Sequence, residues 1–160
     1  ALQGVAALAG AKVAYVKAHG ALANLAADRR DVADAIAGAI AALPGGLAIL
    51  AISGTELEAA GRAAELATYS EVFADRAYLP NGRLVPRSRP DAMIHGAKAA
   101  AERLLRFVES GLMPVIGGDP IPLAAESICV HGDGAEAVAM ATEIRDRLRA
   151  AGVGLAPFVR

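Results

Sequence analysis

The chain has 160 residues, 55% of them hydrophobic and 4% aromatic, with a formal net charge of −1 and a pI of about 6.3. That length suits one domain with a real core, which must be built from Ala, Val, Leu and Ile because there is no Trp. Near-neutral charge argues against a nucleic-acid or anionic-membrane partner, no apolar run reaches the roughly 20 residues of a bilayer span, and the single cysteine, Cys129, excludes an intrachain disulfide framework.

Residues 1–10 read as the last turns of a helix, with Leu2, Val5, Ala6 and Leu8 on one side and Gly10 as the stop. They lack the basic region of a signal peptide. Ala1 in place of methionine predicts a chain processed, trimmed or begun partway into something longer. Residues 12–18 read as a strand that exits through His19-Gly20. Asp28 is then expected to cap a helix running to about Leu43, since Val32, Ile36, Ala39, Ile40 and Leu43 recur at helical spacing. Pro44-Gly45-Gly46 ends it.

Residues 47–52 form a second apolar run. Thr55-Glu56-Leu57-Glu58 resembles a capping box opening a helix to about Ala67. A third strand is expected over 69–75. Residues 76–91 hold three prolines, one glycine and four arginines (Arg76, Arg83, Arg87, Arg89) without a regular period. A loop that long inside a compact domain is usually functional. A helix follows over 97–110, stopped by Gly111, and then a Gly/Pro-punctuated hairpin or connector over 113–123. Residues 126–130 read as a strand, with Cys129 in the core rather than in catalysis. The helix over 135–151 is expected to turn Val138, Ala141, Ile144 and Leu148 inward, and 153–159 to form a last strand.

Apolar strands alternating with helices predict an α/β fold: a parallel sheet with both faces covered, or a segment of a (β/α) barrel, in a single domain over 1–160. Three runs end in charged or imidazole groups just before a turn: Lys17-Ala18-His19-Gly20, Asp75-Arg76, and His131-Gly132-Asp133. One converging site at the carboxyl ends of the strands is the economical expectation. Lys17 and His19, two apart on a strand end, share a face with each other; Asn24 follows them, and the bland alternative makes His19 a turn residue. Asp75 is read either as a general base, or the group that orients one, or as a structural acceptor for Arg76. His131 and Asp133 also share a face, yet two such groups make no metal signature, and no metal ligands are assigned. Arg76 and Arg87 suit a carboxylate or phosphate, which guanidinium binds bidentately. No Walker loop, dinucleotide fingerprint or nucleophile elbow is present.

These segments resemble the LamB/YcsF family, the A-type component of bacterial 5-oxoprolinase. The resemblance rests on Tyr15-Val16-Lys17-Ala18-His19-Gly20-Ala21-Leu22, on Glu71-Val72-Phe73-Ala74-Asp75-Arg76-Ala77-Tyr78 with Gly82-x-Leu84-Val85-Pro86-Arg87, and on Ile128-Cys129-Val130-His131-Gly132-Asp133 with Ala137-Val138. Two departures stand out. Ala18 and Ala23-Asn24 replace the family's Pro before the histidine and its Tyr-Asn pair, and the family's opening third, with an Asn-x-Asp-x-Gly-Glu strand end, is absent. The resemblance implies an incomplete (β/α) barrel related to the polysaccharide deacetylase-like barrels, corresponding to the last two-thirds of the family's fold. Such a piece is expected to be completed by another polypeptide or to self-associate as a homo-oligomer.

It also implies ATP-dependent opening of the 5-oxoproline lactam to L-glutamate in the cytoplasm, with partner B and C subunits and with phosphate handling outside this chain. In that reading Asp75 and His131 orient or activate water, Asp133 positions His131, His19 stands with them, and Lys17, Asn24, Arg76 and Arg87 contact the substrate carboxylate or the developing oxyanion. The competing expectations are a catalytically impaired remnant that binds a small carboxylate or scaffolds its partners, and a metal-dependent amide hydrolase.

Overall fold

The computed structural model describes residues 1–132 and 136–159. Among them the elements run, in order, α1 (Leu2–Leu8), β1 (Tyr15–Lys17), α2 (Gly20–Asp28), α3 (Arg30–Ala41), β2 (Ala48–Ile52), α4 (Glu56–Ala63), β3 (Thr68–Phe73), α5 (Ala97–Ser110), β4 (Leu112–Met113), β5 (Ile121–Pro122), β6 (Ser127–Cys129) and α6 (Ala137–Ala150). Two compact units divide the chain, Ala1–Ser70 with Val159 and Glu71–Phe158, so that β3 begins in the first and ends in the second.

In the first unit β1 and β2 pair in parallel, with Val16 opposite Ile49, and the Ile49 N–H reaches the Ala67 carbonyl at the approach to β3. Leu47, Ala48, Ile49, Leu50 and Ala51 are all buried, as a strand covered on both faces requires. Helices α2, α3 and α4 supply Ala26, Ala33, Ala37, Ile40, Leu57 and Ala60 to the same core. Alanine on the helix side lets the backbones approach closely. Gly61 is the extreme case: a Cβ there would lie 2.7 Å from Ile49 Cγ2 and 2.7 Å from Thr68 Oγ1. Alanine gains about 1 kcal/mol of helix propensity over glycine, whereas overpacking a core costs roughly 1–3 kcal/mol. Ile49 is fully buried and has no room to yield. Gly61→Ala is therefore expected to be destabilising, by about 1 kcal/mol, read as a lowered urea midpoint at unchanged slope.

Several local expectations change. The helix expected from Asp28 to Leu43 forms as α3, but an unexpected helix, α2, precedes it; Arg29 (φ −104°, ψ 104°) separates the two, and Asp28 closes α2 instead of capping α3. Residues 21–27, Ala- and Leu-rich, are strong helix formers, and Ala23, Ala26 and Ala27 bury one face. Thr55 is the N-cap of α4, but its hydroxyl donates to the Ile52 carbonyl at 2.6 Å instead of accepting a helix N–H. Glu58 completes only part of the capping box, accepting the Gly54 N–H at 2.7 Å along with Arg62 and the Ser70 hydroxyl. Burial pushes the Glu58 carboxyl up; those three donors outweigh it and hold the group below its ordinary range. Helix α1 buries nothing, and Leu2, Val5 and Leu8 are all exposed.

In the second unit the end of β3 pairs in parallel with β6. Helices α5 and α6 pack on this pair through Ala100, Ala101, Leu104, Phe107, Met140, Ile144 and Leu148. The buried stripe of α6 holds Ile144 and Leu148 as expected but takes Met140 as its third member; Ala141 is exposed and Val138 is 81% exposed. The 113–123 segment is a short antiparallel hairpin of β4 and β5. No strand forms over 153–159. Gly154 and Pro157 break a ladder there, and the Val153 N–H instead returns to the Leu148 carbonyl to close α6.

Candidate active site

The second unit's site follows from register. Phe73 lies opposite Cys129, and the Ala74 N–H donates to the Cys129 carbonyl at 2.9 Å. Asp75 and His131 each lie two residues beyond that pair, so the two parallel strands deliver a carboxylate and an imidazole to the same level. His131 Nδ1 stands 2.9 Å from Asp75 Oδ1 and 2.8 Å from Oδ2, and the His131 backbone N–H points at Oδ2 from 3.4 Å. The Phe73 ring stacks on the imidazole with centroids 5.5 Å apart and planes at 21°. Asp75 is 7% exposed and His131 16%.

The contact has a chemical direction: a carboxylate accepts hydrogen bonds, so Nδ1 is the donor toward Asp75 and Nε2 is the ring nitrogen turned away from it. A base whose far nitrogen is held by a buried carboxylate is oriented to take a proton and stabilised once it has taken it. The Asp75 carboxylate meets His131, and its hydrogen bonds and ion pair are with that residue rather than with Arg76. Asp133 lies outside the described residues.

The arginine-bearing segment is irregular but not structureless. Its backbone groups pair within it and with the end of β3: Ala77 N–H to Ala92 O, Val85 N–H to Ala77 O, and Ile94 N–H to Asp75 O, each at 2.9 Å. Ala77, Val85 and Ala92 form a small core beneath it. Arg76 is buried there, its Nη2 donating to the Val85 carbonyl at 2.6 Å while its buried Nε has no partner. Burial, then the neighbouring charge of Arg87, loosens the Arg76 proton relative to an ordinary guanidinium, and Asp75 works the other way. Arg87 is exposed, and Arg89 is engaged with Asp91 on the surface. Arg76 and Arg87 both carry guanidinium groups, the side-chain type that binds anionic oxygens bidentately.

Lys17, His19 and Asn24 belong to the first unit. Lys17 is the half-buried last residue of β1, His19 is the exposed N-cap of α2, and Asn24 is exposed on α2. Cys129 is half-buried in β6. Among the described residues no group of three His, Cys, Asp or Glu side chains is arranged to hold a metal ion. No helix among them is long and apolar enough to cross a membrane. An apolar pocket of about 580 Å³ between α5, α6 and residues 153–158 involves neither Asp75 nor His131.

Sequence reading passed over Phe73, Tyr78 and Arg103. Tyr78 is fully buried and its hydroxyl accepts the Phe73 N–H at 2.9 Å. Arg103 lies under the same strand end, with Nη1 3.2 Å from the Phe73 carbonyl and 3.4 Å from that of Ala74. The available signal was a charge at a core position: Arg103 falls in the α5 stripe with Ala100, Leu104 and Phe107.

Parallel strands covered by helices, with a carboxylate-held imidazole at the strand ends, define the chain as an α/β protein. The model of the LamB/YcsF family matches residues 1–160, and the chain belongs to that family. It is 45% identical over 158 residues to the 5-oxoprolinase A subunit of Azorhizobium caulinodans, covering 99% of this chain and 62% of the relative. It is 47% identical over 160 residues to that of Rhodopseudomonas palustris, covering 100% and 63%. The lactam utilization protein from Thermus thermophilus superposes with a TM-score of 0.89 at 36% identity, over 99% of this chain and 63% of that one. The chain therefore spans less than two-thirds of the length of these relatives.

Proposed function

We propose that this chain works as an A-type component of a 5-oxoprolinase, hydrolysing 5-oxo-L-proline to L-glutamate in an ATP-dependent reaction with partner B and C subunits in the cytoplasm. The observation that carries this reading is His131 Nδ1 held by both carboxylate oxygens of Asp75 at the ends of paired parallel strands. Relatives named for the A component of 5-oxoprolinase and for lactam utilization support the substrate class.

A lactam amide is resonance-stabilised, and ATP supplies the activation that water alone lacks. The residues of this chain do the rest. His131 Nε2 takes a proton from the attacking water, and Asp75 stabilises the imidazolium that results. Arg76, through its unpartnered Nε, and Arg87 hold an anionic group, the substrate carboxylate or a phosphate. The test is glutamate release from 5-oxoproline by this protein with B and C subunits, with and without ATP and with a chelator. ATP-dependent release is expected, with magnesium supplied in excess of the chelator because ATP reacts as its magnesium complex. Release without ATP that chelation abolishes would replace the proposal with metal-dependent amide hydrolysis, and no release under any condition would leave a binding or scaffolding component.

A further inference from the structure

Arg103 has no evident reason to be an arginine. It is 6% exposed within an apolar stripe, where Leu or Met would pack without desolvating a charge. Its hydrogen bonds go to main-chain carbonyls, and its buried Nη2 has no partner. Burial makes its proton easier to lose, and the charge of Asp75 is among those that oppose this.

Its neighbours suggest what it does. Phe73 is gripped on both sides of its peptide: Tyr78 Oη accepts its N–H, and Arg103 Nη1 donates to its carbonyl and to that of Ala74. The Arg103 guanidinium lies 5.5 Å from the centroid of the Tyr78 ring, a cation–π contact that ties the two clamps together. The gripped peptide carries the ring stacked on His131 and leads directly into Asp75. We propose that Arg103 is the positioning residue of the Asp75–His131 pair: it fixes the end of β3 through two carbonyls and sets its charge against the carbonyl of Ala74, which immediately precedes Asp75. This rests on the reading of that pair as the proton-handling group.

Two variants in the assembled enzyme separate grip from charge. Arg103→Gln keeps an N–H donor for the carbonyls and removes the charge; Arg103→Lys keeps the charge. The Gln variant is expected to lose kcat by about 10- to 100-fold with KM within about twofold, and the Lys variant to stay within about fivefold of wild type. Nitrogen-15 spectra of His131 give the second readout, which general loosening of the fold would not reproduce: a single Nδ1–H tautomer in wild type and the Lys variant, a tautomer mixture in the Gln variant. A folded Gln variant with wild-type kcat and tautomer overturns the inference, and so does a Lys variant that falls as far as Gln. His131→Gln runs alongside as the control for the underlying reading. If that control keeps full kcat, the pair is not the proton-handling group, and the nitrogen-15 spectra alone then decide the positioning role.

Discussion

Asp75→Asn is expected to lower kcat for glutamate release by about 100- to 10,000-fold in the assembled enzyme, a barrier increase of about 3–5 kcal/mol. The substitution is nearly isosteric, so the loss is chemical. If the amide turns its NH2 toward His131, Nδ1 must become the acceptor, and the proton moves to Nε2, where the lone pair is needed. If it turns its oxygen, the tautomer survives, but the imidazolium formed during reaction loses its counter-charge. Both Asp75 oxygens lie within 3 Å of Nδ1, at 2.9 and 2.8 Å, so neither orientation escapes the penalty. KM should change by less than about threefold, because Asp75 is 7% exposed and meets His131, not substrate. Steady-state kinetics on variant and wild type side by side make the check. An unchanged kcat would remove His131 and Asp75 from the reaction.

The second large effect is on stability and falls on Tyr78. Its ring is fully buried among Val72, Leu104, Phe107 and Met113, and its hydroxyl accepts the Phe73 N–H. Tyr78→Ala is expected to cost about 3–5 kcal/mol, as large-to-small aromatic truncations in cores do. Against a typical total of about 5–15 kcal/mol, that takes roughly a fifth or more of the stability. Tyr78→Phe keeps the ring and strands one buried N–H, which costs about 1–3 kcal/mol. The difference between the two variants, read from urea unfolding, separates packing from the hydrogen bond. Burial pushes the phenol well above its ordinary range, so Tyr78 stays protonated at neutral pH and the effect should be flat across it. A Phe variant as stable as wild type would mean the Phe73 N–H had found another acceptor.

Periodicity and punctuation carried the fold a long way. The α5 span, Ala97–Ser110 with left-handed Gly111 after it, was readable from its stripe and its stop, because a glycine at positive φ is what ends such a helix. Helix α2 was not read. The helix after Asp28 showed a periodic apolar stripe, whereas the alanine-rich run before it carries little pattern, and its burial against the first unit's core is what marks it as a helix of its own. The lost strand after Gly152 has a similar cause: apolar residues spaced by Gly154 and Pro157 have strand composition without a ladder to join.

At the site, sequence alone determined the chemical types. Asp75, Arg76 and His131 each follow an apolar run, and the LamB/YcsF motifs were legible from those same residues. It did not determine who holds whom. Asp75 has Arg76 beside it in sequence and His131 across the ladder, 56 positions away. The parallel register Phe73–Cys129 chose the distant partner, because side chains two residues beyond a matched pair share a face, whereas adjacent residues on an extended chain point apart. Arg103 depended even more on tertiary structure. Its position in the stripe marked it as buried, but only the fold revealed that the carbonyls above it belong to the strand end bearing Asp75. Local sequence thus specified the groups and the elements that carry them; long-range strand pairing and the buried contacts of α5 specified which of those groups meet.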